Sequence, residues 1–174
     1  MLKTYTIKSR ELIKIGNVTV AKQTVVDQSG TERLVHVDIK PQVAVIFALT
    51  PDNKVVCITQ YRFGPQRVMT ELPGGKVDQS EDILQAGKRE LLEETGYNGD
   101  FEFVASTFAT PNSTSIRHTI ICRNATQTQE PAPMDDESIE IVLIDLQEFK
   151  SKLKTGQIFP TESGYLALDY LGVI

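Results

Sequence analysis

The chain is short of cysteine and of positive charge, has no long apolar run, and lacks several familiar catalytic signatures. Its two cysteines, Cys57 and Cys122, are too few for a disulfide framework. Both sit in apolar, strand-like runs and read as reduced core residues of a cytoplasmic protein. The N-terminal stretch MLKTYTIKSR has no apolar signal core, and no run approaches the length of a membrane span. Lysine and arginine number 18 against 23 acids, a net charge of −5. That balance argues against binding a phosphate backbone and so against a nucleic-acid partner. Dinucleotide and P-loop glycine patterns are absent. Ser113 and Ser115 have no neighbouring His–Asp arrangement, which speaks against a serine nucleophile. No internal repeat is present. What remains is a soluble globule of 174 residues, 40% apolar, enough for one core with a small appendage.

Most of that globule reads as strands. Val18 to Val25 and Leu34 to Ile39 alternate apolar and polar around the turn Asp27-Gln28-Ser29-Gly30, a hairpin signal. Val43 to Leu49 is continuously apolar, as expected of a strand buried on both faces. After the turn Thr50-Pro51-Asp52-Asn53, Val55 to Gln60 returns as the next strand. Phe101 to Phe108, Ile116 to Cys122 and Ile139 to Ile144 continue the set. Asp145 then caps a helix over Leu146 to Lys154, with Glu148 at capping-box spacing and Gly156 beyond its end. Thr161 to Tyr170 is a candidate last helix. Asn124 to Asp136 is polar and contains proline, so it reads as a loop. His36 and His118 read as strand residues. Strands and helices without regular alternation predict an α+β fold, a mixed sheet flanked by helices. Residues 1 to about 40 form a candidate separate β-sheet.

Chemistry concentrates in Gly75 to Tyr97, GKVDQSEDILQAGKRELLEETGY. Residues 71 to 97 hold seven acids and three bases, so this segment supplies −4 of the total charge. The apolar positions Ile83, Leu84, Leu91 and Leu92 predict a helix of about four turns. Either Asp78 or Ser80 can cap it, and Asp78 with Glu81 has capping-box spacing. Gly96 suits its left-handed stop. The acids Glu90, Glu93 and Glu94 crowd the C-terminal end, where the macrodipole favours cations. The simplest compensation is a bound divalent cation. Glu90 and Glu94, four apart, can converge on one point, with Glu93 at the edge of the same patch. Arg89 can pair with Glu93 or fold back toward Glu81. Clustered carboxylate oxygens suit magnesium or manganese. Ahead of the helix, Leu72-Pro73-Gly74-Gly75 reads as a tight loop whose backbone can approach a ligand.

The pattern G-x5-E-x7-R-E-L-x-E-E-x-G-Y resembles the signature of the Nudix hydrolases and matches it at every defining position. Gln60-Tyr61-Arg62, Glu71-Leu72-Pro73-Gly74-Gly75, Pro111 fifteen residues after Gly96, and the Asp136-Glu137 segment are similar to the ADP-ribose pyrophosphatase branch. The resemblance implies a mixed sheet sandwiched between helices over residues 41–174. It also implies a small N-terminal antiparallel sheet over residues 1–40 that serves homodimerisation.

By position, the resemblance makes Glu90 and Glu94 metal ligands together with the carbonyl of Gly74, where the branch more often has alanine. It gives Glu93 and Arg89 places in the catalytic apparatus, with Glu81 and Arg89 bracing the helix. Arg62, Glu71 and Pro111 become substrate contacts, Arg62 to the diphosphate, and Glu137 the candidate general base. The branch usually continues Pro-Gly after the helix, whereas this chain has Pro111-Asn112-Ser113-Thr114 and no acid in that loop. The implied activity is magnesium- or manganese-dependent hydrolysis of a nucleoside diphosphate sugar, foremost ADP-ribose to AMP and ribose 5-phosphate. GDP-mannose, a dinucleoside polyphosphate, a silent nucleotide-sugar sensor and an isomerase of the same fold are the competing expectations.

Overall fold

The computed structural model describes residues 2–132 and 138–174. The elements run β1 (Tyr5–Ile15), β2 (Val18–Asp27), β3 (Glu32–Ile39), β4 (Val43–Leu49), β5 (Lys54–Arg62), β6 (Arg67–Glu71), β7 (Gly74–Lys76), α1 (Ile83–Thr95), β8 (Tyr97–Phe108), β9 (Ile116–Gln127), β10 (Glu140–Asp145), α2 (Leu146–Lys154), β11 (Ile158–Phe159) and α3 (Thr161–Tyr170). They divide into two compact units. Residues up to Gln42 with Phe108–Ile116 form the first, and Val43–Thr107 with Arg117–Ile174 the second.

The first unit is a three-stranded antiparallel sheet in the order β1-β2-β3. The β2–β3 hairpin forms where expected, but its buried face carries polar Gln23 and Asp27 beside Ala21 and Val25, while Val18 and Leu34 are exposed. Its turn is tied by Asp27, whose carboxylate accepts from the Ser29 and Thr31 backbone N–H groups at 2.9 Å each. Lys3 and Ser29 also bond that carboxylate, and these contacts hold it well below the usual aspartate range. Strand β1 lies within the expected N-terminal sheet, but its bounds are not readable in the sequence, because it is exposed along its whole length and has no buried face to impose alternation. The segment 108–116 joins this unit through Asp38 N–H to Asn112 C=O and Thr114 N–H to Asp38 C=O.

The second unit is built on an eight-stranded mixed sheet. Strand β4 runs parallel to β9 and antiparallel to β5 and β7. As its unbroken apolar sequence predicts, it is buried on both faces. Ala44, Ile46 and Ala48 pack with Ala86 and Leu91 of α1, while Val45 and Phe47 pack with Phe149 and Leu153 of α2 and Ala167 and Leu168 of α3. Phe47 and Phe149 meet edge to face at 5.2 Å. The sheet is thus sandwiched between α1 and the α2–α3 pair, the α+β architecture expected. Cys57 and Cys122 are buried free thiols, and burial pushes both up to about 12. No helix among the described residues is long and apolar enough to cross a membrane.

Four local expectations need correction. The segment read as loop from Asn124 begins inside a strand, since β9 continues through Asn124 to Gln127. The N-cap of α1 is Asp82, whose carboxylate accepts from Leu84 and Gln85 N–H at 3.0 and 3.2 Å. Neither Asp78 nor Ser80 serves. Ser80 has φ 69° and lies in the preceding turn, while Asp78 donates its N–H to Glu81 at 3.0 Å. Gly74–Lys76 is not loop but the short strand β7, paired with Val43–Val45. Asp145 is the N-cap residue of α2 but makes no side-chain cap bond.

Candidate active site

The acidic end of α1 is held against strand β7. Gly96 ends the helix at φ 73° and donates its N–H to Leu92 C=O at 2.9 Å, as a left-handed glycine cap should. Two residues earlier, Glu94 is only 7% exposed and accepts the Gly74 N–H at 2.9 Å. Glu90 lies over Gly75 so closely that a Cβ there would fall 2.2 Å from its Oε2. A Cβ on Gly74 would meet the Ala44 carbonyl at 2.3 Å, a backbone group with little room to move. Alanine, common at this position in the resembled branch, does not fit this backbone. The two glycines let helix and strand approach, and the approach converges Glu90, Glu94 and the Gly74 backbone.

Arg89 takes both partners offered by its spacing and more. Its Nε and Nη2 reach Glu81 at 3.0 and 3.1 Å, Nη2 reaches the Lys76 carbonyl at 2.9 Å, and Nη1 reaches Glu90 at 2.8 Å and Glu93 at 3.3 Å. Arg89 is raised above its ordinary value, chiefly by Glu81, and Glu81 is lowered, chiefly by Arg89. Such a fork braces the helix start, strand β7 and the acid cluster together.

These residues border a cavity of about 480 Å³, which Gln60 and Arg62 of β5 also line. Strand alternation puts Gln60 and Arg62 on one face of β5, a signal readable in sequence. Lys76 and Asp78 line the cavity too and were not anticipated. Glu71 is 3% exposed and takes both Arg62 Nε and Nη2, at 2.7 and 2.6 Å. Pro111 belongs to the other unit, in the segment 108–116. Glu137, the expected base, lies outside the described residues. The chain leading toward it is anchored on α1: Thr128 N–H donates to Gly96 C=O and Ala132 N–H to Glu93 C=O, both at 2.8 Å.

Among the described residues, no three His, Cys, Asp or Glu side chains converge closely enough to hold an ion by themselves. The donor set nevertheless fits a hard cation. Glu90 and Glu94 are carboxylates at a cavity wall, and magnesium characteristically takes one or two carboxylates and completes its shell with waters and substrate phosphates.

The NUDIX domain family matches residues 39–162, most of the chain. A methanol dehydrogenase activator from Bacillus methanolicus is 29% identical over 134 residues, covering 75% of this chain and 72% of that protein. An ADP-ribose pyrophosphatase from Bacillus subtilis (strain 168) is 25% identical over the same shares of each. A crystal structure of an ADP compounds hydrolase shares the fold along the full chain, with a TM-score of 0.82 at 19% identity, covering 100% of this chain and 99% of that one. With the complete acidic helix, its glycine-floored strand and the sandwich that carries them, the chain belongs to the NUDIX family of hydrolases.

Proposed function

We propose that the chain hydrolyses the diphosphate bond of a nucleoside diphosphate sugar, with ADP-ribose yielding AMP and ribose 5-phosphate. The observation that carries this reading is that Glu90, Glu94 and Gly74 line one cavity together with Arg62. The names of the Bacillus subtilis and Saccharomyces cerevisiae ADP-ribose pyrophosphatases among its relatives support the substrate class.

Glu90, Glu94 and the Gly74 carbonyl would hold magnesium or manganese. The bound metal would neutralise the diphosphate and acidify a water. The chain's own residues do the rest. Arg62 offers guanidinium hydrogen bonds to diphosphate oxygens, the bidentate chemistry arginine suits best. Arg89 fixes the carboxylates of Glu90 and Glu93. Glu137 would take the proton from the attacking water.

The first unit is the proposed homodimerisation element, with residues 1 to about 40 at its centre. Its edge strand β1 is exposed throughout, and Leu12, Ile15 and Leu34 are each more than half exposed. Apolar surface of that kind marks an interface. Light scattering on the purified chain should give twice the chain mass of 19.4 kDa. The cytoplasm is the proposed compartment, on the reduced cysteines.

The test of the activity is product release from ADP-ribose, GDP-mannose, UDP-glucose, diadenosine polyphosphates and nucleoside triphosphates, with and without magnesium or manganese. Metal-dependent cleavage led by ADP-ribose is the expected result. Preference for another compound would replace the substrate, and cleavage of none would overturn the reading.

A further inference from the structure

We propose that Glu71 is a positioning residue that sets the guanidinium of Arg62 for the substrate diphosphate, and is not itself a substrate contact. The proposal rests on the diphosphatase reading above and deepens it. Both carboxylate oxygens of Glu71 are engaged by Arg62, one by Nε and one by Nη2. An ionised carboxylate is acceptor-only, so it has no hydrogen to offer a phosphate and its charge repels one. Glu71 is also almost wholly buried, while Arg62 remains 44% exposed at the side chain and lines the cavity. The buried partner therefore acts on substrate only through the exposed one.

The hairpin explains why Arg62 needs holding. In the β5–β6 register Arg62 lies directly opposite Arg67, with Gln60 opposite Met69 and Ile58 opposite Glu71. Directly opposed residues share a face, and like charges so placed repel. Without Glu71 the two guanidiniums would separate toward solvent. Glu71 draws Arg62 the other way, back along the hairpin toward the end where Leu72-Pro73 leads into Gly74, whose N–H holds Glu94. One carboxylate thus sets the arginine at the cavity that the acid cluster also lines. The grip uses the Nε–Nη2 edge, so the Nη1 group is not required for it.

The experiment is a double-mutant cycle on Arg62→Ala and Glu71→Gln, read as KM and kcat for ADP-ribose with magnesium. Calorimetric titration with ADP, which keeps the diphosphate and needs no turnover, is run in parallel. Glutamine can accept from the guanidinium through one oxygen only and turns an N–H group toward it. Glu71→Gln should raise KM and weaken ADP roughly tenfold, the scale of one charge-assisted hydrogen bond, with kcat nearly unchanged. In the Arg62→Ala background the same substitution should have no further effect, and Glu71→Asp should restore part of the loss. Additive effects of the two substitutions would mean that Glu71 meets substrate directly and would overturn the proposal. So would unchanged KM and ADP affinity in Glu71→Gln. If Glu71→Gln does not fold, Glu71→Asp with Arg62→Lys completes the same cycle. If the wild-type chain cleaves no compound, the diphosphatase reading falls, and the ADP titrations alone decide whether Glu71 acts through Arg62.

Discussion

Gly75 and Glu90 stand so close that a Cβ on the glycine would lie 2.2 Å from Oε2 and 2.4 Å from Oε1 of the glutamate. The obstructing atoms are the far end of a flexible side chain, not backbone. Gly75→Ala should therefore leave the fold standing and push the Glu90 carboxylate out of place. A displacement of about 1 Å in a reacting assembly can cost on the order of 100-fold in rate. The expected outcome is a loss of kcat on that scale with a melting temperature within a few degrees of wild type. Retained activity would mean that Glu90 does not work from this position.

Glu94 is tied to the opposing strand by the Gly74 N–H. In Glu94→Gln the amide oxygen can still accept that bond, so the helix should stay in place while the charge is lost. Removing groups that merely support metal ligands typically costs 10–100-fold in affinity or activity. A true ligand should cost more than about 100-fold in turnover, and calorimetry with manganese should show the affinity falling in parallel. Near-wild-type turnover would remove Glu94 from the metal assignment.

Gly96 answers two demands at once. Its φ of 73° disfavours any side chain, and a Cβ would lie 2.0 Å from the Gln129 carbonyl oxygen. The obstacle here is backbone, held by Thr128 and Gln129 N–H groups that both donate to Gly96 C=O. Gly96→Ala should thus differ in kind from Gly75→Ala. The left-handed conformation alone costs about 1–2 kcal/mol, and the displaced 128–132 segment adds to it. Urea titration should show a stability loss above that figure, and a loss below about 1 kcal/mol would mean that the segment yields freely.

How far the sequence reaches can be judged at α1. The periodic apolar residues, the terminal glycine and the acid spacing were all legible, because each is a local rule. The identity of the N-cap was not. Asp78, Ser80 and Asp82 all have suitable side chains, and the choice depends on the left-handed turn at Ser80. Strand β4 was legible because burial on both faces leaves an uninterrupted apolar run. Strands β1 and β7 were not, the first because it has no buried face, the second because two glycines carry no pattern. At the site, Arg62 and the three glutamates were legible. The pairing of Arg62 with Glu71, nine residues apart, was not, since it depends on the register of the β5–β6 hairpin.

His118 offers a prediction independent of catalysis. It is 4% exposed in β9, beside Ala44 of β4, with its Nδ1 2.8 Å from Ser106 Oγ and its ring near Phe103. Burial lowers it from the ordinary 6.5. In the folded chain the ring resists a proton that the unfolded chain accepts, so the unfolded state binds more protons below about 6.5 and stability falls as pH drops through that value. The stabilising contribution is present above the unfolded value and is lost on acidification toward the lower folded one. Urea unfolding of the wild type and of His118→Gln, at pH 5.5 and 7.5 in each case, isolates the effect, because the other titrating groups cancel in the comparison. The wild type should lose more stability between the two pH values than the variant, since glutamine does not titrate. Equal losses would mean that His118 takes its proton in the folded state as readily as in the unfolded one.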